Sequence, residues 1–174
     1  MHGVFHGQTP SSRAFHDVAQ ICLNGHVITA GYQRYPEYRK QHCDRCGAKT
    51  ITECPTCHQA IQGDHVDPDA IIFVPGGFRA PAYCHSCGNP FPWTEQRLDA
   101  LVELTKESAS LAEDRDDLGT LVPDLLANTP RSELAATRWR KALAKVEENI
   151  APALRSLLTE IATEAVKKML FPGL

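Results

Sequence analysis

The groups with the most chemistry to offer are seven cysteines and eight histidines, and all of them lie at or before position 87. Six cysteines form three C-x-x-C units, Cys43/Cys46, Cys54/Cys57 and Cys84/Cys87. Such a unit supplies two thiolates from one tight loop, half of the tetrahedral set that zinc takes in a structural site. A glycine after the second cysteine lets the chain turn back. "CDRCG" and "CHSCG" have it, whereas "CPTCH" has His58 in that position. No signal peptide is evident in "MHGVFHGQTPSSRAF", so the expected compartment is the cytoplasm. In a reducing compartment, paired cysteines read as metal ligands rather than disulfides.

Three pairs give six ligands, and two closed sites need eight. "CLNGH" supplies the difference: Cys22 and His26 have three residues between them, with Gly25 just before the histidine. Imidazole reaches further than a thiol, so the longer turn is reasonable. His42, His58 and His85 each abut a knuckle cysteine and compete with His26 for the place. Sequential pairing joins Cys22, His26, Cys43 and Cys46 in one site and Cys54, Cys57, Cys84 and Cys87 in the other. The loops inside the sites are then 16 and 26 residues, each long enough for a β-hairpin, and "GAKTITE" alone separates the sites. Interleaved pairing, as in a RING cross-brace, usually has a shorter second spacer, so sequential pairing is favoured. Two Zn²⁺ per chain are expected.

No catalytic residue is assigned. A catalytic zinc keeps an open position, while this count closes both sites. H-E-x-x-H and H-x-E…P-C-x-x-C are absent, as are the P-loop, G-x-S-x-G and dinucleotide fingerprints. Beyond residue 93 there is no histidine, which removes the commonest general base. The chain is therefore expected not to be an enzyme.

The net charge of -3 gives no overall drive toward nucleic acid or anionic membrane. Residues 1–93 carry equal numbers of acidic and basic side chains, and seven thiolates against two Zn²⁺ would leave the loaded module mildly acidic. One local exception is "GYQRYPEYRK" (31–40), where Tyr32, Tyr35 and Tyr38 alternate with Arg34, Arg39 and Lys40. As a hairpin tip it suits base stacking or a protein interface.

These groups must be positioned by two unlike halves. The first reads as short strands and turns, with strands expected at 26–32 and 70–78. The second reads as amphipathic helices over about 94–112 (Thr94 as N-cap), about 114–127 (weakened by Gly119 and Pro123), from Thr129-Pro130 through Val146, and from Pro152 through Met169. The expected architecture is a small α+β protein, with tandem zinc ribbons of short β-hairpins followed by an α-helical bundle. The domain reading is an N-terminal tail (1–18), a double zinc-ribbon module (19–93) and an α-helical domain (94–174). "EDRDD" (113–117) reads as a solvated helix start, and "MLF" (169–171) as the place for a dimer contact. No run is long and apolar enough for a membrane span.

"CLNGHVI", "CDRCGAKTITECPTC", "CHSCGNPFPWTE" and "NTPRSELAATR" together resemble an uncharacterised bacterial family of zinc-ribbon proteins with a helical C-terminal extension. The resemblance implies a double zinc ribbon with the knuckle residues already named, and no assigned activity. The functional expectation is a non-enzymatic zinc-binding adaptor. Its ribbons form a structural platform, and its helical region binds another protein or self-associates. The alternative is a nucleic-acid-binding ribbon that uses Tyr32, Arg34, Tyr35, Tyr38 and Arg39.

Overall fold

Short β-branched runs and longer 3–4 periodic runs occupy different parts of the chain, and they fold as two units, residues 1–87 and 88–174. The computed structural model describes residues 14–67, 77–127 and 129–173. The strand expected at 70–78 falls almost wholly outside the described residues.

The first unit holds β1 (Phe15–Val18), β2 (Gln20–Cys22), β3 (Val27–Thr29), β4 (Thr50–Ile51) and β5 (Gln62–Val66). β1 pairs antiparallel with β5, and β2 is the centre of a three-stranded antiparallel sheet ordered β3-β2-β4. The pairing differs from the expected hairpins within the two long loops. It runs across the knuckles instead: β2 and β3 flank the first, the His42↔Lys49 bridge flanks the second, and the Glu53↔Ala60 bridge flanks the third. A knuckle reverses the chain, so the residues on either side of it are already antiparallel neighbours. β5 comes close enough to the backbone at Val18 and Ala30 that a Cβ on Gly63 would run into the Ala30 carbonyl.

The strand expected over 26–32 stops at Thr29. The chain turns instead, with the Tyr35 amide donating to the Gly31 carbonyl at 2.8 Å. Asp17, buried on β1, accepts from the amides of Gln33 (2.9 Å) and Arg34 (3.3 Å). A single 3₁₀ turn, Pro36–Tyr38, follows. Residues 31–40 are thus a compact turn rather than a hairpin tip. Apolar burial in this unit is thin among the described residues. Ala19, Ile21 and Ile61 are buried, and Cys22, Cys43, Cys54 and Cys84 complete the buried apolar set.

The second unit has five helices among the described residues: α1 (Pro92–Glu107), α2 (Arg115–Leu126), α3 (Ser132–Leu143), α4 (Ala151–Ile161) and α5 (Glu164–Leu170). α1 starts with Pro92 in its first turn, where a missing amide costs nothing. Thr94 is therefore a buried residue inside the helix and not its cap. α2 runs on through Gly119 and Pro123 because one face buries Leu118, Leu121, Val122 and Leu125. α3 starts two residues later than expected. The Thr129 hydroxyl accepts from the Arg131 amide at 3.2 Å and so shapes the entry turn. α3 also stops at Leu143, short of Val146.

The last expected helix is two helices. Ala162 is extended, and the Thr163 amide donates to the Leu125 carbonyl at 3.2 Å. The Thr163 hydroxyl then caps α5 by accepting from the Val166 amide. This break lets α5 fold back onto α3. Leu154, Leu158 and Ile161 of α4 and Val166 and Leu170 of α5 join one apolar core with Leu101, Leu125 and Trp139. Within the acidic stretch 113–117, Asp114 pairs with Lys145 (2.9 Å) and Asp117 with Arg138 (3.1 Å).

Glu147, in the connection between α3 and α4, ties down the 3₁₀ turn Ala109–Leu111. Its carboxylate accepts from the Ser108 and Ser110 hydroxyls and from the Ser110 amide at 3.0 Å. The bond from buried Ser108, with these amide and hydroxyl bonds, holds the carboxyl down to about 2 from an ordinary 4.5. A depressed carboxyl stabilises the fold above its unfolded value and loses that contribution as pH falls toward the folded one. Glu147→Gln should therefore lower thermal stability at pH 7. The gap from wild type should narrow below pH 4.5 and close near pH 2. Fluorescence of Trp93 and Trp139 during thermal unfolding across that range measures it, and a pH-independent gap would refute it.

Candidate metal centres

Each centre is built from two knuckles, and the first three knuckles repeat one backbone device. The amide three or four residues after the first ligand donates to that ligand's carbonyl: Gly25 to Cys22, Gly47 to Cys43 and His58 to Cys54, at 2.8–2.9 Å. The turn closes through a left-handed residue, with φ of 84° at Gly25, 70° at Gly47, 60° at His58 and 73° at Gly88. Three of these are glycine, which takes that conformation freely. His58 takes it as the non-glycine exception, so its place in "CPTCH" is a backbone role.

The structure brings together Cys22, His26, Cys43 and Cys46, with one ligand atom from each, all within 4.8 Å of one another. It brings Cys54, Cys57, Cys84 and Cys87 together in the same way. The arrangement is sequential. His42, His58 and His85 belong to neither group. In the first centre, Nδ1 of His26 lies 3.5 Å from Sγ of Cys22 and 3.6 Å from Sγ of Cys43, and Cys22 and Cys46 place their sulfurs 3.8 Å apart. In the second, the sulfurs of Cys54 and Cys87 are 3.8 Å apart and those of Cys57 and Cys84 are 3.6 Å apart.

These separations decide what the groups can hold. A disulfide needs sulfurs about 2.05 Å apart, and all seven cysteines are free. A tetrahedral ion with metal–sulfur bonds of about 2.3 Å and metal–nitrogen bonds of about 2.05 Å has S···S edges of about 3.8 Å and S···N edges of about 3.6 Å. The observed edges match both values. The donor set, soft thiolates with at most one imidazole, suits zinc and disfavours calcium or magnesium. Amides support the sulfurs: His26 donates to Cys22 at 3.3 Å and Ser86 to Cys84 at 3.4 Å. The first cysteine of each C-x-x-C unit is buried, while Cys46 and Cys87 are exposed and Cys57 is half-buried.

Electrostatics point the same way. Burial opposes ionisation of Cys54, but the amides of Cys57 and Thr56 and the neighbouring thiols outweigh it and bring this thiol down to about 6. Cys57 accepts from the Gln59 amide, yet burial and the crowding of Cys87, Cys84 and Cys54 push it up to about 12. Protein atoms alone stabilise some thiolates in the cluster at the expense of others. A cation at the centre removes that conflict.

The aromatic-basic segment is only partly free. The Arg34 guanidinium is held by Asp17 (3.1 Å) and reaches Asp64 (3.4 Å). Arg39 lies 4.2 Å over the Tyr32 ring and donates to the Tyr32 carbonyl. Tyr35 and Tyr38 remain exposed, their rings 5.9 Å apart. Sequence reasoning missed Asp17, the buried anchor of this turn, because a lone aspartate in a strand carries no local signal. No helix among the described residues is long and apolar enough to cross a membrane.

A sequence family described as an uncharacterized protein conserved in bacteria (DUF2321) matches residues 15–170. No curated protein and no solved structure matches the chain.

The ligand geometry predicts that His26→Ala loses metal from the first centre. His42→Ala, His58→Gly and His85→Ala should keep the full complement. Elemental analysis of the purified variants checks this. Loss of metal from His58→Gly with retention in His26→Ala would reverse the assignment.

Proposed function

The chain belongs to this uncharacterised bacterial family, and we propose that it is a non-enzymatic zinc-binding adaptor with two structural zincs. The observation that carries this reading is the match between the ligand edges and a closed tetrahedron in both centres. Four protein ligands per ion leave no position for a substrate or a reactive water, and structural zinc sites are built in that way. Three thiolates and a neutral imidazole give the first centre one negative charge fewer than the second. Seven reduced thiols in this arrangement suit a cytoplasmic protein.

In this reading the ribbons are a platform whose folding is metal binding. Structural zinc sites in finger peptides contribute about 10–16 kcal/mol of apparent binding energy, which offsets the thin apolar burial of the first unit. The helical unit is the part that binds another protein or a second copy. Leu134 on α3 and Met169 on α5 are both exposed, and these two helices pack together. A second reading, nucleic-acid binding through residues 31–40, is favoured by one observation, the preset stack of Arg39 on Tyr32.

Two zincs per chain are expected by elemental analysis. Cys43→Ser should lose one zinc and unfold the ribbon around the first centre. Chelation should remove both zincs and abolish strand signal, while most helical circular dichroism persists. Retention of both zincs and of ribbon structure in Cys43→Ser would refute the structural-zinc reading. For the adaptor role, Leu134→Glu/Met169→Glu should abolish a partner or self-association detected by light scattering and affinity capture of the wild type. A partner that binds this variant unchanged would move the interface elsewhere.

A further inference from the structure

The strongest unassigned feature is an open groove of about 550 Å³ in the first unit, beside the first centre. Its walls include Tyr32, Arg39, Lys40, His42 and Lys49. Between residues 31 and 52 there are five basic side chains and two acidic ones, in a chain that is acidic overall. The groove is therefore a local cationic feature.

Its floor is rigid. Gln20, a buried side chain on β2, donates to the Lys40 carbonyl at 2.7 Å and accepts from the Lys40 amide at 3.0 Å. It also donates to the Thr50 hydroxyl at 2.9 Å. One amide side chain thus clamps the Lys40 backbone against β4. Arg39 is fixed as well. Its Nε donates to the Tyr32 carbonyl at 2.9 Å, and its guanidinium lies over the Tyr32 ring, 4.2 Å from the ring centroid. The terminal guanidinium nitrogens are left as a preset fork of donors, the geometry that recognises a phosphate. Lys49 and His42 face each other across the second knuckle's bridge and are exposed. Lys40 contributes less, because Asp44 pairs with it at 2.6 Å.

The two exposed tyrosines stand at either end of the 3₁₀ turn that leads into the groove, Tyr35 as its N-cap and Tyr38 as its last residue, directly before Arg39. The Arg34 guanidinium lies 5.1 Å over the Tyr35 ring. Aromatic faces next to a cationic channel bind nucleotides in sequence, bases on rings and phosphates in the channel. Bases of a duplex are stacked on one another and cannot use such rings.

We infer that this groove holds the phosphates of single-stranded nucleic acid, with Arg39 and Lys49 as the main phosphate contacts and Tyr35 and Tyr38 as the stacking platform. The inference deepens the nucleic-acid reading given above. It replaces Arg34, which Asp17 already engages, with Lys49, which the sequence pattern had not singled out.

The test uses the full zinc-loaded chain and fluorescein-labelled 15-nucleotide single strands, one RNA and one DNA, of mixed sequence. Anisotropy at low salt should show binding. Affinity should fall with salt at a logarithmic slope of about -1.4 to -2, as two to three neutralised phosphates require. Lys49→Gln should weaken binding about threefold or more, and Arg39→Gln/Lys49→Gln about tenfold or more. Tyr35→Ala/Tyr38→Ala should weaken it roughly tenfold. Zinc content measured in the same samples shows that these exposed substitutions leave the fold intact. A duplex of the same length should bind less tightly, and inorganic polyphosphate should compete poorly. Absence of binding at low salt overturns both the groove and the nucleic-acid reading. Binding that is unchanged in Arg39→Gln/Lys49→Gln but lost in Arg34→Ala overturns the groove alone. Competition by polyphosphate equal to that of the oligonucleotide overturns the stacking platform, and with it the choice of nucleic acid.

Discussion

Sulfur atoms held 3.6–3.8 Å apart without a bond between them are the constraint on which the first unit rests. Thiolates at that distance repel, and neutral thiols there gain little. Cys54, lowered chiefly by the Cys57 and Thr56 amides, and Cys57, raised by burial and by the thiols around it, show how unevenly the protein alone can ionise this cluster. A central cation turns the same crowding into attraction. The strands then need little else. They are two to five residues long, and strands so short do not persist without a tie at each end. The knuckles are those ties, with ladder bonds immediately outside them.

The second unit is organised by the opposite principle. Its centre is a contiguous apolar cluster drawn from all five helices, and its polar interactions are local fittings around that cluster. Glu147 pins a 3₁₀ turn, Thr163 caps α5, and buried Ser132 donates to the Asp124 and Ala127 carbonyls at 2.8 and 2.6 Å. The Trp139 indole N–H is buried without a hydrogen-bond partner. The cluster tolerates that cost, of order 1–3 kcal/mol, because Trp139 fills its centre. Apolar burial thus organises the second unit, whereas the first gathers its cysteines and His26 into two groups that could hold metal ions.

The ligands could be read in the sequence because a knuckle is a local object. Spacing and a following glycine describe a covalent turn that needs no tertiary context. Counting to eight extends the reading to Cys22 and His26. The helices could be read for the same reason, from their apolar period, but their ends could not. The α4–α5 break depends on the Thr163 amide reaching the Leu125 carbonyl, a contact between distant residues. Thr129 and Thr94 have the chemistry of caps, yet the first only shapes an entry turn, and the second lies inside a helix that Pro92 had already begun. The turn at 31–40 likewise takes its form from Asp17 on another strand. The α4–α5 break and the turn at 31–40 were thus decided by hydrogen bonds between distant residues.

One consequence of the first centre reaches beyond stability. Gln20 stands two residues before the ligand Cys22, on the same strand, and it clamps Lys40, three residues before the ligand Cys43. The two chain segments that the ion would join are therefore the two that Gln20 joins. Tyr32 and Arg39 lie between those anchors and are locked to each other. Lys49 follows the second knuckle directly and leads into β4, which pairs with β2. Every wall of the groove is thus within a few residues of a ligand or bonded to a residue that is. A cation that fixes the knuckles also fixes the spacing of the guanidinium, the ammonium and the tyrosine rings. In the proposed reading, an ion in the first centre would frame the groove. None of the second centre's four ligands lines that groove, and its Cys87 is exposed.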